Sequence, residues 1–266
     1  MWKLVLAYDG ADYAGWQVQP GQNTVQAELR DAIAKVTGES VLPQGSGRTD
    51  AGVHALGQVA SFSLAAPVPE ANLARALNRR LPPSIRVLSA ECVGEDFHAR
   101  HSARHKTYEY RIYRGEICPP WLARYVCWQP RRLDIAAMRR AARMVRGTHD
   151  FTSFAASDPD RTQSSRQDGA PPSGLRTILL SQWRIRAGGM LVYRVRGNGF
   201  LHHMVRNLVG TFLEIGLGRM EAEEIPAILA ARSRAQAGPT APASGLFLVE
   251  VGYGSDGHPA PPRMLL

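Results

Sequence analysis

Apolar positions along the chain recur with two periods, one of two residues and one near 3.6. Residues 2–9 alternate and read as a strand. Over residues 24–37, Val25, Leu29, Ile33 and Val36 fall on one helical face. Thr24 stands where an N-cap belongs, and Gly38 where a helix stops. A weak strand follows at 40–46, and a clearer alternation at 58–64. A helix over 70–80 runs into Pro82-Pro83, and 85–92 reads as another strand. The order is β-α-β-β-α-β.

The second half repeats it. A strand is expected at 106–113, then a helix at 134–146 capped by Asp134 and stopped by Gly147. Strands at 176–186 and 190–196 flank Gly188-Gly189, a hairpin signal. A helix at 202–217, a further helix near 223–232 and a strand at 246–252 complete the unit. The predicted fold class is α+β, as two ferredoxin-like halves with mostly antiparallel sheets and helices on one face of each. A central cleft between the other faces is implied by a family resemblance, carried by the motifs below, and not by periodicity. The first half spans 1–103 and carries the loop around Asp50; the second spans 104–253; a frayed tail covers 254–266. Residues 155–174 read as a polar loop, and the Ala, Pro, Gly and Ser of 233–245 as a linker.

Charge sharpens the picture. The chain carries 32 Lys and Arg against 23 Asp and Glu, a net of +9. Residues 100–146 hold 12 basic and 3 acidic side chains, so this segment contains the whole excess. Such a concentration favours a polyanionic partner, of which nucleic acid is the commonest. No apolar run reaches membrane-spanning length. The start of the chain lacks a signal-peptide pattern, since Leu4-Val5-Leu6-Ala7 is short and Asp9 follows. Cys92, Cys118 and Cys127 are odd in number and show no C-x-x-C spacing, so a reducing cytoplasm is the expected compartment.

The chemistry concentrates in residues 46–54, Ser-Gly-Arg-Thr-Asp-Ala-Gly-Val-His. On extended backbone Arg48 and Asp50 face the same way, which keeps the carboxylate ionised. Gly47 and Gly52 permit a tight turn and close approach of a ligand. An ionised, accessible aspartate suits a nucleophile or a charge stabiliser; a turn with a local ion pair is the plainer alternative. His98, His101 and His105 suggest a metal site, but Arg100, Arg104 and Lys106 beside them oppose cation binding. His202 and His203 diverge by about 100° on a helix and do not chelate together. The Gly-x-Gly pairs at 45–47 and 197–199 continue into neither a dinucleotide nor a phosphate-loop fingerprint.

Ordered motifs extend this reading. Tyr8-Asp9-Gly10, Tyr13-Ala14-Gly15-Trp16-Gln17 and Thr24-Val25-Gln26 precede the Asp50 loop. Leu77-Asn78-Arg79-Arg80-Leu81-Pro82, Phe97-His98-Ala99-Arg100, Ser102-Ala103 and Lys106-Thr107-Tyr108-Glu109-Tyr110 follow it. Asp150-Phe151-Thr152-Ser153-Phe154, then Phe200-Leu201-His202-His203-Met204-Val205-Arg206-Asn207, then Gly245-Leu246 complete the series. Together the chain resembles the tRNA pseudouridine synthase A family.

The resemblance implies isomerisation of uridine to pseudouridine in the anticodon stem-loop of tRNA, at tRNA positions 38 to 40, by a homodimer. Asp50 is the implied catalytic carboxylate, with Arg48 and Arg206 near it. Arg206 sits among apolar neighbours and calls for an acidic partner, for which Asp50 is the candidate. Tyr108 is assigned to the site, where its ring stacks on the base and its hydroxyl assists proton removal; Leu246 flanks the base. Tyr110 reads as core. Arg139, Arg140 and Arg143, on the polar side of the helix at 134–146, are expected to hold phosphates. The chemistry is balanced in atoms and electrons, so no cofactor or metal is called for. A non-catalytic RNA-binding protein explains the charge equally well but leaves the set of Asp50, Arg48, Tyr108 and Arg206 without a purpose. A glycoside hydrolase lacks a second carboxylate with an evident acid role in the matching motifs.

Overall fold

Thr24 and Gly38 bracket the first helix as their chemistry requires, in the computed structural model, which describes residues 1–65, 67–156 and 173–254. Helix α1 (Val25–Thr37) begins where the Thr24 hydroxyl accepts from the Ala27 N–H, and ends at Gly38 with φ 78°. Val25, Leu29 and Ile33 are buried on its inner face. Around it lie β1 (Trp2–Tyr8), β2 (Gln44–Gly45), β3 (His54–Phe62), helix α2 (Glu70–Asn78) and β4 (Ile85–Cys92). The sheet runs β4-β1-β3, with β1 antiparallel to both neighbours and β2 antiparallel on the far edge of β3. This is the expected ferredoxin-like arrangement.

Two differences from the pattern have clear causes. Strand β3 starts four residues before the expected position, directly out of the Asp50 loop. It is buried along nearly its whole length, so alternation fades. Gly57 leaves room there for the backbone carbonyl of Val249, 2.5 Å from where a Cβ would stand. Strand β2 keeps only two of the seven expected residues. Pro43 has no N–H to donate, and the edge of β3 is shared. Strand β10 (Leu246–Gly252) takes that edge at His54 and Ala55, in parallel, and β2 takes it at Ala60 and Ser61.

Strand β10 was expected to close the second half. It belongs instead with residues 1–107, and residues 108–245 form the other unit. A strand's own residues dictate that it forms; which free edge it joins is a tertiary matter.

Residues 108–245 hold most of β5 (His105–Tyr113), then α3 (Pro120–Ala123), β6 (Cys127–Trp128), α4 (Ile135–Met144), β7 (Gly147–Asp150), β8 (Leu175–Ile185), β9 (Met190–Gly197), α5 (Met204–Gly216) and α6 (Ile225–Ala231). The sheet order is β5-β9-β8-β7, with β6 parallel beside β5. Asp134 caps α4 by accepting from the Ala137 N–H at 2.9 Å. Gly188 and Gly189, both at positive φ, turn the β8–β9 hairpin. Strand β7, β6 and the one-turn α3 are too short for a periodic signal. Helix α5 is buried almost all round, as a core helix must be. The fold class is α+β, with antiparallel pairing predominant among the described pairs. No helix of the described residues is long and apolar enough to cross a membrane.

The expected linker at 233–245 is packed chain. Its Gly238 N–H donates to Thr211 Oγ1 at 2.9 Å, and its Ala241 N–H to the Arg206 carbonyl at 3.1 Å. Arg234 and Thr240 both donate to Asn207 Oδ1. Most of the loop expected at 155–174, and all but Gly254 of the tail, lie outside the described residues.

Gly210 allows this segment to lie against α5. A Cβ there would run into the carbonyl of Pro239. In an open helix Gly→Ala gains about 1 kcal/mol. Here the steric cost of about 1–3 kcal/mol outweighs it. Gly210→Ala is therefore expected to lower the melting temperature by several degrees; a rise would show that residues 238–241 move aside freely.

Candidate active site

The loop that carries Asp50 rests on a buried side chain, Gln58 of β3. Its Oε1 accepts from Ser46 Oγ at 2.7 Å and from the Val59 N–H at 3.1 Å. Its Nε2 donates to the Gly47 carbonyl at 3.0 Å and to the Tyr8 hydroxyl at 3.4 Å. One carboxamide thus uses its full capacity on the loop and its support. The Tyr8 hydroxyl also shares a hydrogen bond with Thr49 Oγ1, at 2.9 Å. Lys106 Nζ donates to the Ser46 carbonyl at 2.7 Å.

The backbone is held as well. The Trp16 N–H donates to the Thr49 carbonyl at 3.0 Å, and the Val53 N–H to the Asp50 carbonyl at 3.1 Å. The latter closes a turn in which Gly52 has φ 78°, a conformation natural to glycine. Gly15, with φ 97°, lies so close that a Cβ would stand 2.6 Å from the Thr49 carbonyl. Thr49 and Val53 are buried; Arg48 is exposed and Asp50 half-buried. The period of two places Thr49 inward and its neighbours outward. A half-exposed carboxylate on a braced loop can meet a substrate without the backbone being reordered.

At the loop's exit, His54 is buried and stacked on Phe247 of β10, ring centroids 4.7 Å apart. Its Nδ1 accepts from the Gly10 N–H at 3.1 Å and lies 3.1 Å from Asp9 Oδ1. Leu246, the first residue of β10, is buried.

The other expected residues lie in the second unit. Tyr108 of β5 is buried, with its ring edge-on to Phe200 at 5.1 Å. Tyr110 is fully enclosed and donates to the Pro242 carbonyl at 2.8 Å, a core residue as expected. Arg206 in the first turn of α5 is half-buried and its Nε donates to the Ala241 carbonyl at 2.8 Å. Arg139, Arg140 and Arg143 are exposed on α4, opposite the buried Met138 and Ala142. Arg140 lies 3.4 Å from Glu223. His98 Nδ1 is engaged by the N–H groups of Arg100 and His101, so that ring serves a turn.

The supports of the loop, Tyr8, Gln58, Ser46 and Lys106, escape a search for reactive groups. Their signal is a polar residue within an apolar strand, which needs a buried partner. Burial pushes the Tyr8 hydroxyl up to about 12, although the hydrogen bonds to Thr49 and Gln58 pull it down. With the folded value above the ordinary one, the stabilisation is complete below about pH 10 and is lost as pH rises towards about 12. Tyr8→Phe is expected to remove roughly 2–3 kcal/mol of that alkaline loss. Near neutral pH it costs about 1 kcal/mol, because Gln58 and Thr49 lose a partner. Thermal melts of both proteins across this range check the point; parallel curves would assign the alkaline loss to other groups.

Comparison with known proteins follows the same residues. Residues 4–102 and 141–254 match the family described as tRNA pseudouridine synthase. A protein named tRNA pseudouridine synthase A from Solibacter usitatus (strain Ellin6076) is 50% identical over 252 residues, 94% of this chain and 98% of that protein. Its namesake from Moorella thermoacetica (strain ATCC 39073 / JCM 9320) is 48% identical over 254 residues, 94% of this chain and 98% of its own. That from Lacticaseibacillus casei (strain BL23) is 45% identical over 254 residues, 95% and 99% of the two chains. The matched stretches contain the Asp50 loop, Arg206 and Leu246. A braced aspartate loop on a ferredoxin-like unit, found in a chain that matches these enzymes over 94% of its length, places the protein in the tRNA pseudouridine synthase family, which isomerises uridine within tRNA.

Proposed function

We propose that this chain makes pseudouridine in the anticodon stem-loop of tRNA, at tRNA positions 38 to 40, with Asp50 as the catalytic carboxylate. The observation that carries the reading is the presentation of Asp50: half-exposed, between buried Thr49 and Val53, on a loop fixed by Gln58 and Tyr8. The reaction breaks the bond from ribose C1′ to uracil N1 and joins C1′ to C5. A proton leaves C5 and one is gained at N1, so nothing is oxidised or hydrolysed. Asp50 meets the electron-poor sugar as nucleophile or takes its proton. Arg48 places a positive charge two residues from it and helps displace the base, and Arg206 supplies a second positive group. Tyr108 offers its ring to the base and its hydroxyl to the C5 proton, and Leu246 packs against the base edge. A stacked uridine has to be flipped out, at a cost of roughly a few kcal/mol. Phosphate contacts from Arg139, Arg140 and Arg143 offset it. We place the enzyme in the cytoplasm as a homodimer working without cofactor or metal.

Two variants test the chemistry in one assay, pseudouridine formation on a pre-folded uridine-containing tRNA. Asp50→Asn is nearly isosteric and uncharged, and is expected to abolish turnover while folding and tRNA binding persist. Tyr108→Phe keeps the ring, so binding is expected to survive and turnover to fall strongly. Turnover near the wild-type level in Asp50→Asn would remove Asp50 from the mechanism.

Binding has its own test. Replacing Arg139, Arg140 and Arg143 together by Ala is expected to reduce the slope of log affinity against log salt by roughly 2–3. The three side chains are exposed, so the melting temperature should hold. An unchanged slope would move the phosphate contacts to another face.

A further inference from the structure

Between β5 and α4 the chain makes a loop that is tied at both ends. Trp128 pairs with Tyr113 where β6 lies beside β5, and its Nε1 donates to the Gly115 carbonyl at 2.9 Å. The Arg114 N–H donates to the Gly189 carbonyl at 3.2 Å, seating the base of the loop on the β8–β9 hairpin. Pro119 and Pro120 lead into α3 and limit its freedom further.

This anchored loop turns its large apolar side chains outward. Ile117 is 79% exposed, Trp121 75% and Trp128 51%. Single exposed apolar residues are ordinary, but three within twelve positions of one fixed loop are a concentration that points to a binding surface. The charge around it is mostly positive. Arg124, Arg131 and Arg132 are exposed, and Glu116 is the one acidic residue from 115 to 133. Arg184 and Arg186 are exposed on the neighbouring hairpin.

We propose that this surface is a further RNA contact, in which Trp121 and Trp128 stack on unpaired bases and Arg124, Arg131 and Arg132 hold adjacent phosphates. Indole faces beside guanidinium groups are the chemistry of a stacking platform for single-stranded nucleic acid. The hydrogen bond from Trp128 to Gly115 fixes the ring before RNA arrives, so little freedom is lost on binding. A second copy of this chain fits less well, because its matching surface carries the same excess of arginines over acidic residues. The surface lies between the two family-matched stretches, away from the Asp50 loop in sequence, and adds aromatic faces to the charge that the α4 arginines offer. The inference rests on the reading that the chain acts on tRNA.

The test is fluorescence anisotropy with a labelled, unmodified tRNA transcript at several salt concentrations, beside a pseudouridine assay. Trp121→Ala is expected to weaken binding by about tenfold and to leave the salt slope as it was. Trp121→Phe is expected to recover most of that loss. Arg131→Ala with Arg132→Ala is expected to lower the salt slope by roughly 1–2. Unchanged affinity in Trp121→Ala, with melting temperature retained, overturns the proposal. So does loss of self-association in sedimentation, or of binding to anionic phospholipid vesicles, when tRNA affinity is kept. Binding that depends on Trp121 in a protein that makes no pseudouridine would leave this surface standing and remove the proposed activity instead.

Discussion

The Gln58 carboxamide is the interaction on which the rest depends. Four hydrogen bonds leave a group with no contact with solvent, and they reach β1 through Tyr8, the loop through Ser46 and Gly47, and β3 itself through Val59. A buried amide with an unmet donor or acceptor costs about 1–3 kcal/mol, so each partner holds the others in place. Such a network works as a unit, since losing one member strands several groups in a medium of low dielectric. The loop that presents Asp50 inherits its rigidity.

Glycines complete the brace by what they lack. Gly15 approaches the Thr49 carbonyl and Gly57 the Val249 carbonyl, each at a distance no side chain would permit. Gly10 passes the Val53 backbone in the same way. Polar anchoring from within and backbone contact from without leave the loop between 46 and 53 few alternative positions. A loop held in this manner suits the catalytic role proposed for Asp50, because reorganisation at the moment of reaction would add to the barrier.

The basic segment divides its duties. Lys106 supports the Asp50 loop, and Arg140 lies 3.4 Å from Glu223. The arginines of α4 and of the loop before it face solvent. Net charge therefore pointed to the right class of partner while overstating how many cations are available to it.

The sequence by itself determined what is local. Caps at Thr24 and Asp134, stops at Gly38 and the Gly188-Gly189 turn each act within a few residues, and each stands where the pattern put it. The Asp50 motif was legible for the same reason, since its residues are contiguous. Tertiary structure decided what depends on distant partners: that β10 joins β3, that β2 shrinks to two residues, and that 233–245 packs on α5 through Thr211 and Asn207. It alone showed that Gln58 and Tyr8 support the loop, because they lie fifty residues apart and meet only when β1 and β3 pair. Periodicity reports which face of an element is apolar; it carries no information about which buried polar group will answer another, and that choice is made by packing.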